Sequence, residues 1–239
     1  ARAAVDGGDP RAAGLAVAAC VARSAPAGAR LFASNSMSIR LLDLALSRPD
    51  APLHVHCSRG ASGIDGVTST ALGVAAAAAH GAAAGSSVPT LLLTGDLAFL
   101  HDLSGLLIAA RESIPLTIVV LDDDGGGIFS FLPIAEQGES VDFEALFQTP
   151  HRVDLAAIAP ALGIEVERFD LRAQGEVAPK SDLAAIETAL ERAVSRPEVS
   201  IVHVRIDAER NTAGFRETIA QAISAVEGVL GVGASAGAR

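Results

Sequence analysis

Short apolar runs of strand length alternate along the chain with longer segments of helical periodicity, and that alternation predicts a parallel sheet covered on both faces. Strands are expected at 30–34, 53–57, 90–95, 116–122, 164–169 and 199–206. Helices are expected over 11–24, 37–47, 66–84, 101–112, 154–162 and 181–194. The fold class that follows is α/β: one doubly wound domain over 11–230, built on about six parallel strands with helices on both faces, and without an internal repeat. Residues 1–10 read as a linker remnant, 171–180 as a polar surface loop and 231–239 as a flexible tail.

Composition sharpens this picture. At 239 residues the chain can bury a full core without a disulfide or structural metal. Half of it is hydrophobic and mean hydropathy is +0.40. Alanine, however, fills 48 positions and both Trp and Tyr are absent, so the apolar bulk is mostly methyl groups. The Ala-rich run at 73–85 contains His80 and Gly81 and falls short of the roughly 20 strongly apolar residues of a membrane span. It reads as a helix packed closely on a sheet. The stretch 15–22 follows acidic Asp6 and Asp9, which suits an amphipathic helix and not a signal-peptide core.

A net charge of −10 and a pI near 5.0 argue against a nucleic-acid surface. Seventeen of the 18 basic residues are Arg, and the one lysine, Lys180, has no glycine-rich approach, which excludes a phosphate-binding loop of the Walker type. Cys20 and Cys57 have no zinc-site spacing and read as two reduced core thiols of a cytoplasmic protein.

Ligands of open parallel sheets bind beyond the carboxyl ends of the strands, so the residues following each strand carry the candidate chemistry. One strand runs into Gly95-Asp96-Leu97 and another into Asp122-Asp123-Asp124-Gly125-Gly126-Gly127. The 27 residues from Asp96 to Asp123 are what one turn, one helix and one strand consume. Both carboxylates should therefore finish adjacent parallel strands and suit Mg²⁺, which takes one or two protein carboxylates together with phosphate and water. The glycine triplet lets backbone approach a metal or phosphate. Without Asp96 at that interval, the acidic triplet would read as a solvated turn.

Asn35 and Ser36 follow a third strand as candidate N-caps, with Arg40 one turn on, an arrangement that suits an anion or plain helix capping. Arg59 begins the small-residue stretch Arg59-Gly-Ala-Ser-Gly-Ile-Asp-Gly66 after a fourth strand. Two arginines and two acidic residues in one crevice fit a Mg-diphosphate at one end and substrate carboxylates at the other.

Gly95-Asp96-Leu97, the interval and the Asp-Asp-Asp-Gly-Gly stretch together resemble the thiamine diphosphate and Mg²⁺ motif of the thiamine-dependent decarboxylase superfamily. Leu97, Asp122 and Asp123 depart from its usual Gly-Asp-Gly and Asn-Asn. Asn35-Ser36-x-x-x-Arg40, the stretch 59–66, Gly95-Asp-Leu-Ala-Phe-Leu-His-Asp-Leu103, Asp124-Gly-Gly-Gly-Ile-Phe-Ser-Phe-Leu-Pro133 and Phe147-x-Thr-Pro-His151 are similar to the 2-succinyl-5-enolpyruvyl-6-hydroxy-3-cyclohexene-1-carboxylate synthase family of menaquinone biosynthesis. That resemblance covers residues 11–206.

The resemblance implies that Asp96, Asp123 and the Gly125 carbonyl bind Mg²⁺, with Mn²⁺ as an alternative, and that the metal holds the diphosphate of thiamine diphosphate. It implies that Ser62, Gly63, Ile64, Gly95, Leu97, Gly126 and Phe129 border the cofactor and that Ile128 wedges it into a bent form. Ser36, Arg40 and Arg59 should grip substrate carboxylates, with Asn35 beside them. The implied reaction is decarboxylation of 2-oxoglutarate and transfer of the succinyl semialdehyde unit to isochorismate. The family's catalytic glutamate belongs to an N-terminal pyrimidine-binding domain that this chain lacks. The chain is therefore expected to be the inactive C-terminal portion of a homodimeric or homotetrameric enzyme, completed by a partner subunit's pyrimidine-binding domain. The alternatives are another carboligase or decarboxylase, of acetolactate-synthase type, and a non-catalytic assembly domain.

The remaining suspects carry weaker expectations. His54 and His56 share a strand face and read as core or subunit-contact residues, His101 as a residue opening the helix after Asp96, and His151 as structural. Phe129, Phe131, Phe143 and Phe147 either roof the site or meet a neighbouring domain.

Overall fold

All six apolar runs form strands in the computed structural model, which describes residues 11–46, 52–58, 60–81, 88–172 and 180–230. They are β1 (Arg30–Ala33), β2 (His54–Cys57), β3 (Thr90–Gly95), β4 (Leu116–Asp122), β5 (Glu165–Asp170) and β6 (Ser200–Arg205). Every ladder is parallel and the order is β2-β1-β3-β4-β6-β5. The inner strands β3, β4 and β6 are buried at nearly every position, as a sheet covered on both faces requires. The outer strands β2 and β5 are polar and largely exposed, and Glu165 and Glu167 of β5 pair with Arg196 and Arg192.

Successive side chains of a strand point to opposite faces. Leu31, Leu91, Leu93, Val119, Val202 and Val204 accordingly pack with α1 (Ala13–Ser24), α2 (Met37–Ala45) and α6 (Lys180–Val194). Phe32, Leu92, Ile118, Val120 and Ile201 pack on the other face with α3 (Val67–Gly81), α4 (Asp96–His101) and α5 (Gly105–Ala109). The alanines matter here: Ala71, Ala75 and Ala78 form one buried stripe of α3. Among the described residues no helix is long and apolar enough to cross a membrane.

Four expectations need correction. The helix expected over 101–112 is two helices, α4 and α5, and the first begins five residues earlier, so Asp96 lies in its first turn and His101 closes it. The break falls at Asp102, whose carboxylate instead accepts the amide (2.6 Å) and hydroxyl (2.8 Å) of Ser69 in the first turn of α3. The helix expected over 154–162 is two short 3₁₀ turns, Leu155–Ala157 and Ala159–Leu162, the second opening around Pro160, which has no N–H to donate. The thiol of Cys20 is buried but Cys57 is exposed, because β2 is an edge strand. His54 is exposed for the same reason, so it is no core residue of this chain.

One long element has no counterpart in the sequence reading. α7 (Ala208–Leu230) follows β6 and crosses α1, where Asn211 Oδ1 accepts the Gly14 amide at 2.8 Å. The stretches assigned to a linker (1–10) and a tail (231–239), and most of the 171–180 loop, lie outside the described residues.

Candidate active site

Strand order places the crevice. The chain leaves β1 for edge strand β2, then returns to β3 on the other side of β1, so the loops after β1 and β3 diverge over a gap. A cavity of about 390 Å³ opens at this carboxyl end of the sheet. Asn35, Ser36 and Arg40 line it from the end of β1, and Ser62 and Ile64 from the loop before α3. Gly95, Asp96 and Leu97 reach it from the β3–α4 junction, and Asp123, Gly125, Gly126, Ile128 and Phe129 from the segment after β4. Gly63 joins this group through its carbonyl, which accepts from Asn35 Nδ2. Arg59 lies outside the described residues.

The backbone here is unusual where the sequence is glycine-rich. Gly125 has φ +151°, and a Cβ there would overlap the carbonyl oxygen of Gln148. A Cβ on Gly127 would overlap the carboxylate of Asp123. The Gly126 amide donates to Gln148 O at 2.6 Å, which seats the 125–127 segment against the loop that carries Phe147. Ser36 precedes α2 with φ 66° and makes no side-chain cap; its carbonyl accepts from Arg40 Nη1 instead.

Acidic groups crowd the end of the crevice formed by β3 and β4. Buried Asp96 accepts the Leu97 amide on Oδ1 (2.6 Å) and the Gly125 amide on Oδ2 (2.8 Å), with His151 Nε2 3.2 Å from the same Oδ2. Asp122 accepts from His203 Nε2 at 2.8 Å and from the Asp124 amide at 3.0 Å. Desolvation and the charges of Asp96 and Asp122 push the Asp123 carboxyl up to about 8. Burial also raises Asp96, against the opposing hydrogen bonds of His151, Gly125 and Leu97. Burial pushes Asp122 up too, but the His203 and Asp124 hydrogen bonds and the charges of His203 and Arg205 outweigh it, leaving Asp122 below its ordinary value. The hydrogen bond to Asp96 raises His151.

Four residues that shape this site had no functional role in the sequence reading: His151, expected to be structural, and Asn211, Phe215 and Arg216. His151 stands 55 residues from Asp96, and ligand atoms of Asp96, Asp122 and His151 lie within 4.8 Å of one another. Asn211 lines the cavity from α7, the helix that was not anticipated. On the same helix Phe215 packs edge-on against Phe131 (5.3 Å), and Arg216 donates to Ser130 O at 2.9 Å, holding the segment that carries Ile128 and Phe129. The phenylalanine cluster is real: Phe129 meets Phe147 at 5.7 Å, Phe143 stacks on Phe147 at 5.5 Å, and Phe129 and Phe131 line the cavity.

The donor set fits a hard cation beside an anionic ligand. Its carboxylates and carbonyls are all oxygen, as Mg²⁺ and Mn²⁺ prefer. Burial raises Asp123 most, and the repulsion from Asp96 and Asp122 that adds to it is what a divalent cation relieves. In the cavity wall the buried Asn35 Oδ1 has no hydrogen-bond partner, and at Gly125, Gly126 and Gly127 a Cβ would collide with protein atoms already there, so only glycine allows this close approach of the backbone.

Comparison with known proteins agrees with this layout. The family described as thiamine pyrophosphate enzyme, C-terminal TPP binding domain, matches residues 49–204. The chain is 42% identical over 201 residues to 2-succinyl-5-enolpyruvyl-6-hydroxy-3-cyclohexene-1-carboxylate synthase of Myxococcus xanthus, a match covering 84% of this chain and 31% of that protein. It is 34% identical over 202 residues to the synthase of the same name from Bacillus velezensis, covering 84% and 31%. The chain thus spans about a third of the length of the curated relatives it matches. In fold it is similar to benzoylformate decarboxylase of Polynucleobacter necessarius, with TM-score 0.60 at 19% identity over 81% of this chain and 33% of that one. A thiamine diphosphate-dependent 4-hydroxybenzoylformate decarboxylase of Rhodococcus jostii gives 0.58 at 18% identity over 81% and 32%. The match over 49–204, on a six-stranded parallel sheet whose crevice is lined by acidic and glycine-rich loops, means that this chain belongs to the thiamine pyrophosphate enzymes, as their C-terminal cofactor-binding domain.

Proposed function

We propose that this chain is the diphosphate- and metal-binding domain of a 2-succinyl-5-enolpyruvyl-6-hydroxy-3-cyclohexene-1-carboxylate synthase, which decarboxylates 2-oxoglutarate and transfers the remaining four-carbon unit to isochorismate. The observation that carries this reading is the single cavity lined both by Asp96, Asp123 and the 125–127 glycines and by Ser36 and Arg40. The 42% identity to a protein of that name supports it.

In this reading Asp96, Asp123 and the Gly125 carbonyl hold Mg²⁺ or Mn²⁺ against the diphosphate. Bound thiamine diphosphate supplies the electron sink that lets a 2-oxo acid lose CO₂. Apolar Ile64, Ile128 and Phe129 would exclude water from the bound cofactor, and Ser62, Gly63, Gly95, Leu97 and Gly126 would border it. Ser36, Arg40 and Arg59, with Asn35 beside them, bind the carboxylates of two anionic substrates and so orient them. The proton relay of the pyrimidine ring needs a carboxylic acid from a pyrimidine-binding domain, contributed by a partner subunit in a homo-oligomer. Two free thiols, Cys20 and Cys57, fit a cytoplasmic setting.

The test is a two-part assay. Calorimetry of thiamine diphosphate binding with Mg²⁺ and with chelator should show binding in the first case only. The chain joined to its pyrimidine-binding domain should then turn over 2-oxoglutarate with isochorismate, and the chain alone should not. Turnover of pyruvate in preference to 2-oxoglutarate would assign another carboligase, and metal-independent binding or none would leave an assembly domain.

A further inference from the structure

Asp96 is held by three donors. The Leu97 amide bonds Oδ1 at 2.6 Å, the Gly125 amide bonds Oδ2 at 2.8 Å, and His151 Nε2 lies 3.2 Å from Oδ2. The other ring nitrogen of His151 fixes its tautomer. The Val153 amide is 3.0 Å from Nδ1, and an amide N–H can only donate, so Nδ1 carries a lone pair and the ring proton sits on Nε2. The imidazole thus gives Asp96 a hydrogen and offers a cation no lone pair at that nitrogen. Two donors fill Oδ2, whereas Oδ1 has one donor and keeps one acceptor direction open.

The ring is placed by its own loop. Its side chain is 8% exposed, and its further neighbours are acidic: Asp122 Oδ1 at 3.7 Å and Asp124 Oδ1 at 3.6 Å. The Arg152 amide, one residue on, donates to Asp124 Oδ1 at 2.8 Å. The 151–153 backbone is thereby tied to the segment after β4, and the imidazole is the one side chain of that loop standing between carboxylates from β3 and β4. Without it, Asp96 keeps only backbone donors.

We infer that His151 is a positioning residue for the cation site: as an Nε2–H donor it holds the Asp96 carboxylate in one orientation, committing Oδ1 to the metal without itself being a ligand. The inference rests on the proposed assignment of Asp96 to Mg²⁺. Groups that orient a metal-binding carboxylate typically change metal affinity by about 10- to 100-fold when removed.

The test compares H151Q, whose amide can place a donor near the position of Nε2, with H151F, which keeps the ring's bulk and removes the donor. Mg²⁺ is titrated calorimetrically at fixed thiamine diphosphate, with the chain joined to its pyrimidine-binding domain. H151F should raise the Mg²⁺ Kd about tenfold or more, and H151Q should remain within about threefold of the wild type. The thiamine diphosphate Kd at saturating Mg²⁺ should stay unchanged in both, while the metal-free Tm should fall in both, because each loses the acceptor of the Val153 amide. Equal loss in the two variants, or wild-type Mg²⁺ affinity in H151F, would overturn the inference. Should H151F fail to fold, H151N, whose shorter amide cannot reach the Nε2 position, makes the same comparison with H151Q. Absence of Mg²⁺-dependent cofactor binding in the wild type would instead overturn the assignment of Asp96.

Discussion

The Gly125 amide donates to Asp96 Oδ2 at 2.8 Å across 29 residues of chain, tying the end of β4 to the end of β3. This one bond sets the acidic group against the glycine segment. It exists because β3 and β4 are adjacent and parallel, and because Gly125 takes a φ of +151° that L side chains rarely adopt.

Gly125→Ala should therefore be costly twice over. The left-handed backbone costs about 1–3 kcal/mol for a non-glycine residue, and the new methyl would overlap Gln148 O. Thermal unfolding should show a clear drop in Tm, and calorimetry a loss of Mg²⁺-dependent cofactor binding. Wild-type behaviour in both would mean that this contact is dispensable.

Asp123→Asn separates charge from shape. A carboxyl raised to about 8 from an unfolded value of 3.8 binds its proton more tightly when folded. Its contribution is therefore greatest below about pH 4 and declines as pH rises toward 8. The metal-free wild type should lose stability over that window and the Asn variant should lose less. With one carboxylate fewer, the variant should also bind Mg²⁺ more weakly, and its cofactor affinity should depend less on the metal. Titrations at several Mg²⁺ concentrations that show neither change would refute this.

Gly214→Val tests the α7–α1 crossing. A Cβ at Gly214 would overlap the backbone of Arg11 and Ala12, which cannot yield as a side-chain tip does. Overpacking of this kind costs roughly 1–3 kcal/mol. Because Asn211 lines the cavity and Arg216, on the same helix, holds Ser130 beside Phe129, cofactor affinity should fall along with Tm. Gly228→Val, where nothing lies within 4 Å, is the control and should change neither.

The two thiols should differ sharply in reactivity. Burial, reinforced by Glu187, pushes Cys20 up to about 12, so at pH 8 only on the order of 10⁻⁴ of it is thiolate. Cys57 is exposed. A maleimide or disulfide reagent should titrate one thiol in the folded protein and two after denaturation; two fast thiols in the folded state would contradict the buried position of Cys20.

Much of the fold was legible because burial on both faces forces continuous apolar runs. All six strands appear within a residue or two of their expected bounds. Helix ends were less legible: the break at Asp102 depends on Ser69, 33 residues away, and no local pattern announces it. α7 was missed although its motif is ordinary, since its Gly and Asn positions become meaningful only where α1 crosses them.

The site divides in the same way. Asp96, Asp123 and the glycine triplet could be paired from spacing alone, because a turn, helix and parallel strand consume a nearly constant length of chain. His151, Asn211 and Arg216 could not, because their roles arise from hydrogen bonds and contacts between segments distant in sequence. The sequence by itself determined the strands, the parallel sheet and the two acidic strand ends, since periodicity and crossover length are local properties. Only the tertiary structure decided which donors surround Asp96, because loops that share no pattern are brought within hydrogen-bonding distance when the sheet assembles.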